Sequence, residues 1–269
     1  MNEHRSHAGK LAASIAACAG LLLFSLPVRT QPQIPPKKNS VPDPSPAALS
    51  VPFRTGEKLE FRGGWQFYNG AATLKLTAVE QRAFSGRAAW HFQAVATTLN
   101  PLRYIFILDD QFDSYSEATG IVSLQYEQYI REQNKHEDRV HRMSHEGEPA
   151  PADGTAVRVP AGTRDPLGAL YFLRTVDWAR MPTLNMPVFD GKKLYELRAR
   201  LGTKSEDVEV PSGQVTASRI DLHVYERGRE LVTVRISVWF ANDAARTPVR
   251  VEADLPFGAV RADLIRADR

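Results

Sequence analysis

From residue 53 onward, apolar and polar side chains alternate along one segment after another. The segment Val232–Phe240 is apolar at every even position, with Thr233, Arg235 and Ser237 between. The pattern recurs near residues 72–78, 90–96, 122–126, 195–201, 220–224, 249–255 and 260–264. Successive strand side chains point to opposite faces, so this period predicts strands with one buried and one solvated face. The predicted fold is mainly β, with long antiparallel strands in a curved sheet or open barrel.

Turn sequences and one helical segment interrupt this pattern. The predicted turns are Tyr68-Asn69-Gly70, Ser85-Gly86, Asp190-Gly191, Pro211-Ser212-Gly213 and Arg227-Gly228. A single helix that covers the sheet is expected near residues 165–178, because Asp165 is a good N-cap and Pro166 suits the first helical position. An Arg–carboxylate pair that steadies this helix against the sheet is one role open to Arg164 or Arg174.

The N-terminal residues predict export. Residues 1–30 combine a basic start with the uncharged apolar run Leu11–Leu26, which is typical of a signal peptide or of an uncleaved N-terminal anchor. Residues 31–52 are Pro-rich and predict an extended linker. Cys18, the only cysteine, lies in a partial lipobox, but its apolar flanks favour an ordinary residue of the signal core over a lipid anchor. The expected location is the periplasm or cell envelope.

Residues 53–269 form the predicted β-rich exported domain, as one unit or as two similar halves, about 53–160 and 161–269. The formal net charge is +3, and the two signs of charge are interspersed. Because nucleic-acid binding needs clustered positive charge, no nucleic-acid partner is expected. Membrane contact is expected only through the N-terminal segment, if that segment is retained.

Several fragments, in this order, resemble a known family. They are Gly56–Leu59, Asn69–Ala72, Asp110–Tyr115, Arg164–Arg174, Pro187–Lys192, Val210–Gly213, Val238–Asp243 and Arg246–Val249. Together they resemble the bacterial envelope family catalogued as domain of unknown function 3108, over roughly residues 53–264. The resemblance implies an exported, strand-rich protein and no known activity, so it carries over no catalytic residues. Gly168 departs from the family pattern, which often has a stronger helix former there.

Two groups of titratable residues are candidates for chemistry. Asp109, Asp110 and Asp113 follow an apolar run, and a strand mouth or turn explains them more simply than a calcium site. His141 and His145 would be about 13 Å apart on a strand, too far for one metal ion, so a solvated strand edge is the simpler interpretation. We therefore predict no catalytic residues, no metal site and no cofactor.

Aromatic side chains supply the candidate binding site. Core packing is their simplest role, but a curved sheet can enclose an apolar groove for a lipid or acyl chain. The candidate ligand-binding residues are Trp65, Phe67, Trp90, Phe92, Trp239 and Phe240. The leading hypothesis is a non-enzymatic envelope protein that binds an apolar or amphipathic ligand, such as a lipid, or an envelope partner. The alternative is a secreted hydrolase or metal-dependent enzyme that uses the Asp/His groups.

Overall fold

The structure, a computed structural model, describes residues 50–65, 68–148, 154–255 and 258–269. The predicted leader, Cys18, nearly all of the linker, and Phe67 therefore lie outside the described residues. The strands in this part of the chain are β1 Lys58–Trp65, β2 Tyr68–Phe84, β3 Arg87–Thr98, β4 Asp109–Glu117, β5 Ser123–Glu132, β6 Lys135–His145, β7 Val157–Val159, β8 Thr183–Phe189, β9 Leu194–Val210, β10 Gly213–Glu226, β11 Arg229–Ala241, β12 Pro248–Leu255 and β13 Gly258–Asp268. The described helices are α1, Pro166–Thr175, and a 3-10 turn, Leu102–Tyr104. Neither is long and apolar enough to span a membrane.

All described strands belong to one sheet, in the order β7-β6-β5-β4-β3-β2-β1-β13-β12-β11-β10-β9-β8. Neighbouring strands are antiparallel, except for the parallel pair β6 and β7. The segment after β7 nearly closes the sheet into a barrel. The Thr163 carbonyl accepts a hydrogen bond from the Ser123 amide at 3.2 Å, while Arg164 N–H donates to the Pro187 carbonyl at 3.1 Å. The predicted curved antiparallel sheet is confirmed.

Helix α1 begins where predicted, at the Asp165 cap, and lies against the concave face of the sheet. Eight of its ten residues are buried, including Arg174 near its end. The guanidinium of Arg174 donates to both carboxylate oxygens of Glu57, at 2.6 and 3.0 Å. Both side chains are only 1% exposed. A buried Arg–carboxylate pair thus joins the helix to the start of β1, which confirms that role for Arg174.

The predicted turns at residues 85–86, 190–191, 211–213 and 227–228 lie at strand junctions, as expected. The turn predicted at residues 68–70 is wrong, because these residues belong to β2. There Asn69 pairs with Gly64, next to a bulge at Gly63/Gly64 that shifts the register. Interpreting Asp109–Asp113 as a strand mouth or turn is also wrong, since the segment is the body of β4.

The register places the strand connections at two ends of the barrel. Because consecutive antiparallel strands reverse direction, the connections after β1, β3, β5, β8, β10 and β12 lie at one end. We call this the apical end. The opposite, basal end carries the residues before β1 and the loop between α1 and β8. The start and end of the described domain, β1 and β13, are partners in the middle of the sheet.

Candidate functional site

Two of the predicted binding residues, Trp90 and Phe92, lie together on the concave face. Their ring centroids are 5.9 Å apart. Tyr171 of α1 stacks on Phe92 at 3.8 Å, and Phe53 meets Trp90 edge-on at 5.2 Å. Phe92 is fully buried, and Trp90 is 6% exposed. The helix and the residues before β1 therefore occupy the surface that a ligand would need at these two side chains.

The other predicted binding residues do not join this pair. Trp239 and Phe240 are adjacent in β11 and so point to opposite faces. The Trp239 indole N–H donates to the Glu206 carboxylate, and the Arg250 guanidinium lies 6.0 Å from its ring. Phe240 is buried in the core, whereas Trp65 is only partly buried at the end of β1. The described members of the predicted set are thus divided between separate sites.

The predicted carboxylate group is divided between the two faces of β4. Asp109 forms a bidentate pair with Arg103, at 2.8 and 2.7 Å. Asp113, on the same outer face, accepts from His91 at 2.7 Å and from Gln111 at 2.7 Å. These hydrogen bonds lower the pKa of Asp113 against the opposing effect of burial. Asp110 points to the inner face and is fully buried, so the three carboxylates do not assemble into one site.

His141 and His145 lie on β6, which is a strand as predicted. The solvated-edge interpretation is wrong for His145, which is 3% exposed and contacts the Ser123 carbonyl at 2.8 Å. His141 is partly buried, and burial together with the nearby Arg139 lowers its pKa. Among the described residues, no three His, Cys, Asp or Glu side chains are positioned to hold a metal ion.

The helix cap explains the glycine at position 168. Asp165 accepts from the backbone N–H groups of Leu167 and Gly168 at 2.9 Å, and from the hydroxyls of Ser114 and Ser123 at 2.5 Å. A Cβ on Gly168 would lie 2.9 Å from the Ser116 hydroxyl. A larger residue would therefore displace the serines that hold Asp165. This network is fully used in fixing the helix against β4 and β5.

A cavity of about 670 Å³ lies at the apical end, between the β8–β9 and β10–β11 turns. Its apolar lining includes Met186, Leu194 and the ring of Tyr195, and Leu194 is 40% exposed. Its charged lining is Lys192, Lys193, Glu196, Glu226 and Arg227. Lys193 pairs with Glu226 at 2.9 Å. The cavity is thus lined by apolar side chains together with three cations and two anions.

A buried polar cluster, formed by Gln128, His141, Asp190 and Tyr195, lies beside this cavity. The Gln128 side-chain amide donates to the Asp190 carbonyl at 3.1 Å. A Cβ on Gly191 would lie 2.7 Å from Gln128 Oε1 and 2.9 Å from His141 Nε2. Each member also has one buried polar atom without a hydrogen bond to the described residues, namely Gln128 Oε1, His141 Nε2, Asp190 Oδ2 and Tyr195 OH.

Tyr195 connects the buried polar cluster to the cavity, since it belongs to both. Burial, helped by the nearby carboxylates of Asp190 and Glu226, raises its pKa above the usual range, so the phenol stays neutral. Burial also raises the pKa of Asp190, against the opposing hydrogen bonds from the backbone of Lys192 and Lys193. The members of the cluster thus lie around the tight turn at Asp190-Gly191.

The site residues at the apical cavity were missed by sequence reasoning. The available signal is Asp190-Gly191 followed by two lysines, a pattern that predicts a turn but does not by itself indicate a binding site. Nothing in the alternation of β9 distinguishes Tyr195 from the other inward residues Leu197 and Ala199.

Comparisons with known proteins agree with this fold. A "Beta-barrel-like Protein of Domain of Unknown Function DUF1849" from Brucella abortus is 11% identical, with a TM-score of 0.51 over 80% of this chain and 97% of that chain. A "putative lipoprotein" from Parabacteroides distasonis is 10% identical, with a TM-score of 0.39 over 82% of this chain and 100% of that chain. Of these two, only the Brucella protein, with its TM-score above 0.5, is similar enough to support the fold.

No curated protein matches the chain significantly. The model of the family described as "Protein of unknown function (DUF3108)" matches residues 62–265, which include every described strand except the ends of β1 and β13. The chain belongs to the DUF3108 family of proteins of unknown function.

Proposed function

We propose that the protein is a non-catalytic binding protein of the bacterial cell envelope whose ligand enters the apical cavity. The ligand class is amphipathic, with an apolar part and an anionic group. The observation that carries the proposal is the lining of the cavity, in which Leu194 and Met186 lie beside Lys192 and Arg227. A cavity of this size suits a small ligand, since such sites are commonly 300–1,000 Å³ and mostly apolar.

The charge around the cavity supports an anionic ligand. Glu226 is neutralised by Lys193 at 2.9 Å, and Glu196 by Arg198 at 2.6 Å. The cavity lining as a whole carries three cations, Lys192, Lys193 and Arg227, against these two carboxylates, a balance of 3 − 2 = +1. A partly desolvated cation attracts an anion more strongly than a fully solvated one, because the local dielectric constant is lower.

The packing of the concave face supports the apical cavity over the predicted aromatic groove. Tyr171 and Phe53 cover Trp90 and Phe92, so a ligand there would have to displace the helix. The exported location in this proposal rests on the signal-like residues 1–30. The alternative of a hydrolase or metal-dependent enzyme has less support, since Asp109, Asp110 and Asp113 are divided between two faces of β4.

Fluorescence titration of the full chain with 1-anilinonaphthalene-8-sulfonate, an anionic amphipathic probe, tests this proposal. Leu194→Asp places a negative charge in the cavity and is expected to weaken probe binding at least about tenfold, since it removes apolar contact and adds repulsion. Met181→Asp is the matched control, because Met181 is also an exposed apolar residue but lies at the basal end. Equal losses in the two variants, or no probe binding by the wild type, would rule out the apical cavity as the site.

A further inference from the structure

The loop between β3 and β4 presents apolar side chains to solvent. Tyr104 is 82% exposed and Ile105 is 68% exposed, and Ile107 is also exposed. Their neighbours Phe106 and Leu108 are buried in the core. The run Tyr104–Leu108 is therefore anchored by two side chains while three others project from the apical end.

Hydrogen bonds hold this loop in a fixed shape. The Thr98 hydroxyl donates to the Phe106 carbonyl at 3.0 Å and accepts from the Leu108 amide at 3.1 Å. The Gln133 side chain, from the β5–β6 turn, donates to the Ile105 carbonyl at 2.6 Å. The exposure of the three apolar side chains is thus built into the loop, because its backbone polar groups are satisfied.

The same end carries most of the exposed large apolar side chains. Nine such side chains are exposed in the described part of the chain, and five of these lie in an apical connection or within two residues of one. The five are Tyr68, Tyr104, Ile105, Ile107 and Leu194. Single exposed apolar residues are ordinary, but a concentration at one end indicates an interaction surface.

Cations surround these apolar tips. The connections and the two residues on either side hold seven Lys or Arg side chains and seven carboxylates. Asp110 and Asp190 are fully buried and the Glu132 side chain is 12% exposed, so the solvent-facing groups alone carry a balance of 7 − 4 = +3. The cations are Arg103, Arg131, Lys135, Lys192, Lys193, Arg227 and Arg229. The solvent-facing carboxylates are Asp109, Glu226, Glu230 and Asp254.

We infer that the apical end docks on a membrane surface that contains anionic phospholipids, with Tyr104, Ile105 and Ile107 entering the interfacial layer. Tyrosine suits this layer, and surrounding Lys and Arg side chains are attracted to anionic headgroups. Separate loop tips suit a fluid surface, whereas a protein partner requires a continuous complementary patch. This contact is additional to any contact through residues 1–30, and it does not depend on a ligand in the apical cavity.

A polarity-sensitive label on the full chain tests this docking. Cys18→Ala removes the only cysteine, and Ile105→Cys or Met181→Cys then carries a nitrobenzoxadiazole label at the apical or the basal end. The labelled proteins are bound to phosphatidylcholine vesicles with or without phosphatidylglycerol. We expect a blue shift, and quenching by nitroxide lipids, for the label at position 105 on vesicles with phosphatidylglycerol. The label at position 181 should stay in water.

This design separates apical docking from vesicle binding through residues 1–30, which both labelled proteins share. A water-like label at position 105 on vesicle-bound protein would overturn the inference, as would equal shifts at both positions or failure to bind vesicles. An equal response without phosphatidylglycerol would overturn the anionic requirement. Arg227→Gln with Arg229→Gln should reduce the shift at position 105, whereas the control Arg200→Gln, near the middle of β9 and paired with Thr183 at the start of β8, should leave it unchanged. Probe binding in the apical cavity is measured without vesicles, so the two proposals can fail separately.

Discussion

Replacing Glu57 by Gln should destabilise the fold by about 3–5 kcal/mol, the usual cost of breaking a buried ion pair. The Arg174 guanidinium would remain buried, 1% exposed, without its counter-charge. Its remaining acceptors are the carbonyls of Ala245 and Arg246, at 3.0 and 3.2 Å, and one amide oxygen of the new Gln. Neutral acceptors compensate a buried cation less well than a carboxylate does. For a domain of this size the loss corresponds to a fall in Tm of roughly 10 °C.

Urea unfolding followed by circular dichroism measures this loss. The matched control is Glu60→Gln, which breaks the exposed pair of Glu60 with Lys75 at 3.3 Å. That change should cost less than about 1 kcal/mol, because water screens an exposed pair. The double variant Glu57→Leu with Arg174→Met should recover much of the stability, since it leaves no buried charge unpaired. If Glu57→Gln costs no more than Glu60→Gln, the buried pair does not stabilise the packing of the helix on the sheet.

The remaining predictions concern the β8–β9 turn and one buried carboxyl. Gly191→Ala should destabilise the fold by about 2 kcal/mol or more, because Gly191 has φ +93° and a Cβ there would press on Gln128 and His141. Gly86→Ala, with φ +78° and open space around it, should cost only about 1 kcal/mol, and equal urea midpoints for the two would refute the steric argument. Burial raises the pKa of Asp110 to about 7. Between about pH 4 and pH 7 the folded state therefore holds a proton that the unfolded chain has already released. The free energy of unfolding falls as the pH rises through this range. Asp110→Asn should therefore exceed the wild type in stability at pH 8, by up to about 4 kcal/mol, and match it at pH 4. A difference in urea midpoint that is the same at both pH values would contradict this linkage.

The strands and the helix were predictable because they depend on local patterns. Alternation identifies a half-buried strand such as Val232–Phe240, and Asp165-Pro166 is a strong signal for a helix start. Strand β4 was missed because its inner face is polar, with Asp110, Ser114 and Ser116 buried. These serines serve the cap of a helix about 50 residues later in the chain, which no local pattern can show.

The candidate site was harder to predict, because it depends on how distant segments meet. Trp90 and Phe92 are inward-facing as expected, but the sequence does not show that Tyr171 and Phe53 pack over them. Gln128 and Asp190 belong to different halves of the sheet, on β5 and in the β8–β9 turn, and they are hydrogen-bonded only because the barrel nearly closes. A lysine pair in a turn likewise has no visible function until a cavity is found beside it.

The pairing of β1 with β13 has a consequence for biogenesis. Lys58 is bonded in register with Asp268, so the seam in the middle of the sheet forms only after nearly the whole chain is available. Contacts of such long sequence separation slow folding, because a large loop must close first. Until β13 is available, β1 lacks its second neighbour and the sheet stays open at this position. Loss of residues 258–269 would leave β1 and β12 as exposed edges that invite aggregation.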